Sequence, residues 1–86
     1  MHAMLVVIKL DDEEEALRSL KDDVIPQMQQ APGFSTGIWF GNEQKGHALV
    51  LFDTEEHASN AAPPVSTPMP GGMVLSCDIY PVTGQA

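Results

Sequence analysis

Apolar residues form four extended runs along the chain, and two stretches with helical spacing separate them. The runs at 4–10 and 47–52 are almost wholly apolar and rich in branched side chains, which favours central strands with much of both faces covered. The runs at 34–40 and 73–80 alternate between two faces. All four runs are therefore predicted to be strands.

Alternation within the two outer runs assigns side chains to faces, because successive residues of a strand point in opposite directions. In the second strand it places Trp39 on the face opposite Ile38. Two sets are each expected to share one face: Phe34, Thr36, Ile38 and Phe40 in the second strand, and Met73, Leu75, Cys77 and Ile79 in the fourth.

The first helical stretch follows an acidic block at 11–15. Asp11 or Asp12 is expected to cap the helix, and the glutamates suit the positive end of its dipole. A functional acidic patch is the alternative interpretation of this block. Spacings of three and four then predict one apolar helix face, made by Leu17, Leu20, Val24 and Met28.

Proline positions set the remaining boundaries. Pro26 falls inside the first helix and predicts a kink or a break, since proline lacks a backbone donor. Thr54 is the expected cap of a second, short helix that ends at Ala61 or Ala62, before Pro63. The proline-rich segment 63–72 is predicted to be irregular.

This order of elements predicts a single α+β domain over residues 1–86. The arrangement βαββαβ with two right-handed units gives a ferredoxin-like fold, with a four-stranded antiparallel sheet in the order 4-1-3-2. That order puts the two most apolar strands in the centre. Both helices then cover one face of the sheet and leave the other face for water or for a second sheet.

Composition restricts the partners of this domain. The 86 residues carry 12 acidic and four basic side chains, for a net charge of −8. Nucleic acid and anionic membrane surfaces are therefore unexpected partners. No signal peptide and no run of about 20 apolar residues is visible, so a cytoplasmic location is predicted.

Small size favours self-association. A chain of this length gains limited stability from its own core, and small domains often add disulfides, metals or a second copy. Cys77 is the only cysteine, so a disulfide within the chain is impossible and a Cys/His metal site is not expected. We therefore predict a homodimer.

Several segments together resemble the dimeric α+β barrel superfamily, and within it the antibiotic biosynthesis monooxygenase-like domains. They are the apolar first strand, the acidic helix start, the turn Ala31-Pro32-Gly33-Phe34, and the third strand leading into Asp53-Thr54-Glu55-Glu56. The resemblance spans residues 4–82. It implies a homodimer with two sheets packed face to face and a small-molecule cavity between each sheet and its helices. Relatives include cofactor-independent oxygenases, quinol monooxygenases and haem-degrading enzymes.

The haem-degrading branch fits poorly. Its members carry an asparagine in strand 1, a tryptophan near the end of strand 3 and a histidine on helix 2. Here strand 1 has no asparagine and Phe52 ends strand 3, while His57 lies close to the start of helix 2. Haem is therefore not expected, and neither a cofactor nor a metal is predicted.

Four residues are candidates for a site on this domain. His57 is the candidate catalytic residue, as a base or hydrogen-bond acceptor on helix 2. Trp39, Tyr80 and His47 are candidate substrate-binding residues. Trp39 could stack on an aromatic substrate, Tyr80 could donate a hydrogen bond, and His47 could act as a general base. Structural roles are the alternatives: core or dimer interface for Trp39, interface for Tyr80, and a solvent-exposed strand end for His47.

Two functions are compatible with these residues. One is a cofactor-independent monooxygenase-like enzyme acting on a small aromatic or apolar molecule. The other is a non-catalytic dimeric module that binds a small molecule or acts as a scaffold. No nucleotide-binding or nucleophile signature accompanies either function.

Overall fold

A computed structural model describes residues 1–86 as one antiparallel sheet with a helical layer. The strands are β1 (His2–Leu10), β2 (Phe34–Gly41), β3 (Lys45–Phe52), β4 (Pro68–Met69) and β5 (Gly72–Pro81). The helices are α1 (Glu13–Ser19), a π-helical turn (Leu20–Val24), α2 (Ile25–Gln29) and α3 (Glu55–Ala61). None of these helices has the length and apolar character needed to cross a membrane.

The sheet has the order β2-β3-β1-β5-β4, and all its neighbouring strands are antiparallel. The predicted α+β class with an antiparallel sheet is confirmed. The predicted number of four strands is wrong, because the segment expected to be irregular contains β4. Pro68 pairs with Met73 there, at the sheet edge, where a proline without a backbone donor is tolerated.

Both predicted helix starts are confirmed. Asp12 is the cap of α1, and its Oδ1 accepts a hydrogen bond from the Glu15 N–H at 3.1 Å. Thr54 is the cap of α3, and its Oγ1 accepts from the His57 N–H at 3.1 Å. These caps satisfy backbone donors that have no partner within the helix.

The first helical stretch neither breaks nor continues as a regular α-helix at Pro26. A π-helical turn precedes this proline, and the Ile25 N–H reaches back to the Leu20 carbonyl. Proline cannot donate the next backbone bond, and a π-turn is one way for a helix to absorb that loss. The apolar stripe therefore runs from α1 to α2 with altered spacing in the middle.

Two irregularities in strand pairing overturn the predicted faces. The register of β2 against β3 shifts between Phe34 and Thr36, and Phe34 packs on the core while Ile38 is 58% exposed. The register of β5 against β1 shifts at Leu75, which is exposed, whereas its neighbour Val74 is buried. An extra residue in one strand reverses the alternation beyond it.

The core lies between α3 and one end of the sheet. Met4, Val50, Phe52 and Ala58 have no exposed surface, and Phe34 meets Phe52 edge to face with ring centroids 6.4 Å apart. The opposite side of the sheet has no covering element, and we call it the open face. Pairing and alternation assign to it Ala3, Leu5, Val7, Lys9, Thr36, Ile38, Phe40, Lys45, His47, Leu49, Leu51, Met73, Ser76, Asp78 and Tyr80.

Candidate functional site

A cavity of about 300 Å³ lies between the helices and the sheet, beside the core. Its wall is apolar apart from a few polar residues at one end. The apolar part comes from both layers and from the segment after α3: Met4, Val6, Ile8, Leu10, Ala16, Leu17, Leu20, Val24, Met28, Trp39, Phe40, Ala48, Pro63 and Met69. A volume of this size lies at the small end of the range for ligand sites.

Small residues and a short helix create this space. The sheet end near the cavity carries Gly46, which has no side chain to fill the gap, although a Cβ there would make only ordinary contacts. The seven-residue helix α3 packs on the other end of the sheet, where Ala58 is buried in the core. Only the first helical stretch therefore covers the sheet here, and Leu17 borders the cavity while remaining 48% exposed.

The predicted apolar stripe of the first helix forms one wall of the cavity. Leu17, Leu20, Val24 and Met28 all border it, and two of them, Leu20 and Val24, belong to the π-helical turn. Turns of this kind occur frequently at functional sites. The stripe thus packs partly against the sheet and partly borders the cavity.

Of the four candidate residues predicted from the sequence, Trp39 has an aromatic side chain that faces the cavity from the core side. It is half-buried and packs against the core. A Cβ atom at Gly37 would lie 2.6 Å from the Trp39 Cη2 atom, so the indole occupies the space that the glycine leaves. Gly37 therefore allows a large ring to lie along β2.

Three polar residues border the cavity: Glu13, Asn42 and His47. The Asn42 Oδ1 atom accepts hydrogen bonds from the backbone N–H groups of Gln44 and Lys45, at 2.8 and 2.9 Å, and so shapes the β2–β3 turn. Glu13 is exposed in the first turn of α1. Glu13 and Asn42 supply the polar side chains at this end of the cavity.

His47 belongs to the open face by its strand register. It pairs with Phe40, and the two rings stack with centroids 5.1 Å apart and 4° between their planes. Its Nδ1 atom is buried without a hydrogen-bond partner. Since strand alternation points both side chains away from the helices, we infer that Phe40 and His47 border the cavity through their backbone.

His57 lies outside the cavity and is paired with a carboxylate. Its Nδ1 atom lies 2.6 Å from Asp53 Oδ1. An ionised carboxylate can only accept a hydrogen bond, so the Nδ1–H donates it. This bond, more than any other interaction, lowers the pKa of Asp53 below its ordinary value of 3.8.

The Asp53–His57 pair lies against the turn before β2. A Cβ atom at Gly33 would overlap Asp53 Oδ1 and His57 Nδ1, and Gly33 has a φ of 80°. The Asp53 N–H also donates to the Gly33 carbonyl at 3.0 Å. The pair therefore joins the end of β3, the start of α3 and this turn, which is a structural arrangement.

Asp53→Asn is expected to remove one component of the acid destabilisation of this protein. Because the pKa of Asp53 is lowered in the folded state, its ionised form stabilises the fold. That contribution is complete above the ordinary pKa of 3.8 and is lost as pH falls through the lowered value. Denaturant unfolding at a series of pH values below neutrality measures this slope.

Asp11→Asn is the matched control for this measurement, because Asp11 is exposed and its side chain forms no hydrogen bond or ion pair. The control should keep the wild-type pH dependence below 3.8, and Asp53→Asn should flatten it. Identical slopes for the two variants would contradict the stabilising role of the pair.

Tyr80 lies away from both His57 and the cavity. It pairs with Ala3 on the open face and is 51% exposed. Of the four residues predicted from the sequence, the cavity is bordered by Trp39 and His47 and not by His57 or Tyr80. The structure therefore does not bring the four together.

Sequence reasoning missed two residues of the polar end. Glu13 was interpreted as part of an acidic block that starts a helix, with a functional acidic patch as the alternative, and Asn42 was not among the candidate residues. Their positions after β1 and after β2 carried a usable signal, because antiparallel neighbours place the end of one strand beside the start of the next. Glycines on both sides of the hairpin also indicated missing side-chain volume.

A second hollow of about 380 Å³ adjoins the first and shares Val24, Met28, Pro63 and Met69 with it. Its other walls are prolines, small residues, Gln27 and Thr67, without an aromatic or ionisable side chain. No group of three or more His, Cys, Asp or Glu residues is arranged to hold a metal ion. The first cavity is thus the better candidate for a site.

Comparison with known proteins adds no relative to this picture. No protein-family model matches the chain, and neither a curated protein nor a solved structure matches it significantly. The resemblance to dimeric α+β barrels therefore stays a prediction from the sequence.

Proposed function

We propose that this chain is a homodimeric α+β barrel protein that binds a small apolar or aromatic molecule between its sheet and its helices. The observation that carries the proposal is the cavity itself: an apolar space beside a well-packed core, bordered by the chain's one tryptophan. Packed interiors leave few voids larger than a water molecule. A space of about 300 Å³ suits an apolar ligand.

The ferredoxin-like part of this proposal rests on the four long strands. Without the two-residue β4, their order is β2-β3-β1-β5, and the core residues of the sheet pack towards the helices on one side. The strand order expected for a ferredoxin-like fold is compatible with this arrangement. The short β4 adds one strand at the β5 edge of the sheet.

The dimer part rests on the open face. Three strands of the open face, β1, β3 and β2, carry five aliphatic side chains that no other element covers, namely Leu5, Val7, Ile38, Leu49 and Leu51. Ile38 is exposed and the other four are half-buried, and contiguous apolar patches that other elements do not cover mark interaction sites. Two sheets can pack face to face about 10 Å apart, with interdigitated side chains.

Charge favours a second copy as the partner on this face. The whole chain carries a net charge of −8, so two copies repel each other over most of their surfaces. The open face instead carries Lys9 and Lys45 with Asp78 as its only carboxylate. Two copies therefore meet with the least repulsion there.

Binding is favoured over catalysis because the catalytic candidate is elsewhere. His57 is bonded to Asp53 and does not border the cavity. The ionisable residues that do border it are Glu13, which is exposed, and His47, whose side chain belongs to the open face. A general base must come within hydrogen-bond reach of its substrate.

A cofactor-independent oxygenase is the second candidate, favoured by Trp39, the aromatic side chain that borders the cavity from the core side. Oxygen uptake with a panel of hydroquinones tests it. Uptake above the buffer rate with any member of the panel would replace the binding proposal with this one. Uptake at the buffer rate across the panel would eliminate it.

Gly46→Val is expected to weaken binding of a neutral probe such as 2-phenylethanol by at least about tenfold. A Cβ at Gly46 makes ordinary contacts of 3.7 to 4.0 Å with Leu10 and Ile8, so valine fits β3 and fills the cavity end. Titration monitored through the emission of Trp39 gives the dissociation constant, because Trp39 is the only tryptophan.

Gly84→Val is the matched control, since nothing lies within 4 Å of a Cβ at Gly84. It should bind the probe like the wild type. Equal binding by wild type and Gly46→Val, or saturable binding by neither, would contradict the proposed site.

A further inference from the structure

We propose that the cavity selects its ligand by charge: it takes a small apolar molecule that ends in a cationic group, and it discriminates against carboxylates. This inference rests on the proposed binding function and adds the chemical class of the ligand. The residue that makes the selection is Glu13.

Glu13 is the only residue with a permanent charge at ordinary pH that borders the cavity. No lysine or arginine lies on the wall, and neither does any other carboxylate. A carboxylate ligand would therefore meet a like charge at the polar end and no counter-charge. An ammonium group would meet an opposite charge at the same place.

The Glu13 carboxylate is free to take a ligand partner. The chain has three ion pairs, and Glu13 is in none of them. Its neighbour Glu14 is the one that pairs with Arg18, at 3.5 Å. Glu13 therefore has charge at the cavity that no side chain compensates.

The other groups on the wall suit the same ligand. The oxygen of Asn42 is already bonded to two backbone N–H groups, so Glu13 is the side-chain acceptor left for an ammonium group at the polar end. Trp39 presents an aromatic ring, and aromatic faces attract cations as well as apolar bodies. The overall charge of −8 also attracts cations from a distance.

A series of three probes of nearly equal shape separates charge from apolar fit: 2-phenylethylammonium, 2-phenylethanol and phenylacetate. We expect the ammonium to bind roughly three- to fivefold more tightly than the alcohol, the range for an exposed ion pair, and phenylacetate to bind most weakly. Glu13→Gln should bring the ammonium and the alcohol to equal affinity. Measurements at low ionic strength keep the effect unscreened.

Glu15→Gln is the matched control. It removes the same charge two residues further along α1, from an exposed residue that neither borders the cavity nor forms an ion pair. It should keep the preference for the ammonium. A preference lost equally in both variants would assign it to net charge and overturn the role of Glu13.

The possible failures are distinguishable. If 2-phenylethanol binds and phenylacetate binds as tightly as the ammonium, the charge selection is wrong and the binding function stands. If the ammonium preference survives Glu13→Gln, the selection by Glu13 is wrong. If none of the three probes binds, the proposed function itself fails, and this inference fails with it.

Discussion

Phe52→Ala is expected to lower the free energy of unfolding by about 3–5 kcal/mol, which is a large share of the stability of a small domain. Phe52 has no exposed surface and meets the ring of Phe34 edge to face. It also lies at the end of β3, paired on one side with His2 and on the other with Phe34. Truncation leaves a cavity beneath α3 that the rigid sheet cannot close.

Phe52→Leu is the graded comparison for this variant. It keeps most of the apolar volume and should cost about 1–2 kcal/mol. Denaturant unfolding at one fixed protein concentration measures both variants, because the proposed dimerisation would make apparent stability depend on concentration. A cost below about 1 kcal/mol for Phe52→Ala would contradict the packing described for this end of the core.

Leu49→Asp is expected to convert the proposed dimer into a monomer by weakening its dissociation constant at least about 100-fold. Leu49 lies in the middle of the open face, paired with Leu5 on one side and with Ile38 on the other. In the dimer, the new carboxylate of each copy would be buried without a partner. Sedimentation velocity at micromolar concentration reports the mass of the particle.

Val65→Asp provides the matched control for charge. Val65 is 52% exposed and lies outside the strands of the sheet, so the same substitution there should leave the mass unchanged. Circular dichroism checks that both variants fold. A wild-type protein that sediments as a single chain at micromolar concentration would contradict the proposed dimer.

The sequence was sufficient to predict the long elements of the fold because their signals are local. The apolar runs of β1 and β3, and the caps Asp12 and Thr54, each depend on neighbouring residues. β4 was missed because a two-residue strand has no periodicity of its own. It exists only because Pro68 and Met69 meet the start of β5.

The two register shifts show where local pattern fails. Alternation along the strand predicts a face of the sheet for Phe34 and for Leu75. In the structure each of these side chains lies on the face opposite to the predicted one. Both sites gain from the shift: Phe34 reaches Phe52, and Val74 reaches the core. Such an irregularity depends on contacts between distant strands, which alternation along one strand does not encode.

The candidate site was predictable in part. The apolar stripe of the first helix and the placement of Trp39 opposite Ile38 follow from periodicity, and both describe the cavity wall correctly. The separation of His57 from the cavity could not be predicted, since it depends on the bond to Asp53 and on the contact with Gly33. Glu13 borders the cavity because α1 lies over the sheet at this end, and that placement is a tertiary feature.

Nuclear Overhauser effects between a bound probe and the methyl groups of the protein locate the ligand directly. With 2-phenylethanol and methyl-labelled protein, we expect contacts from the probe to the methyl groups of Leu20, Val24 and Met28, which line the cavity. Contacts confined to Leu5, Leu49 and Leu51 of the open face would contradict binding between the sheet and the helices.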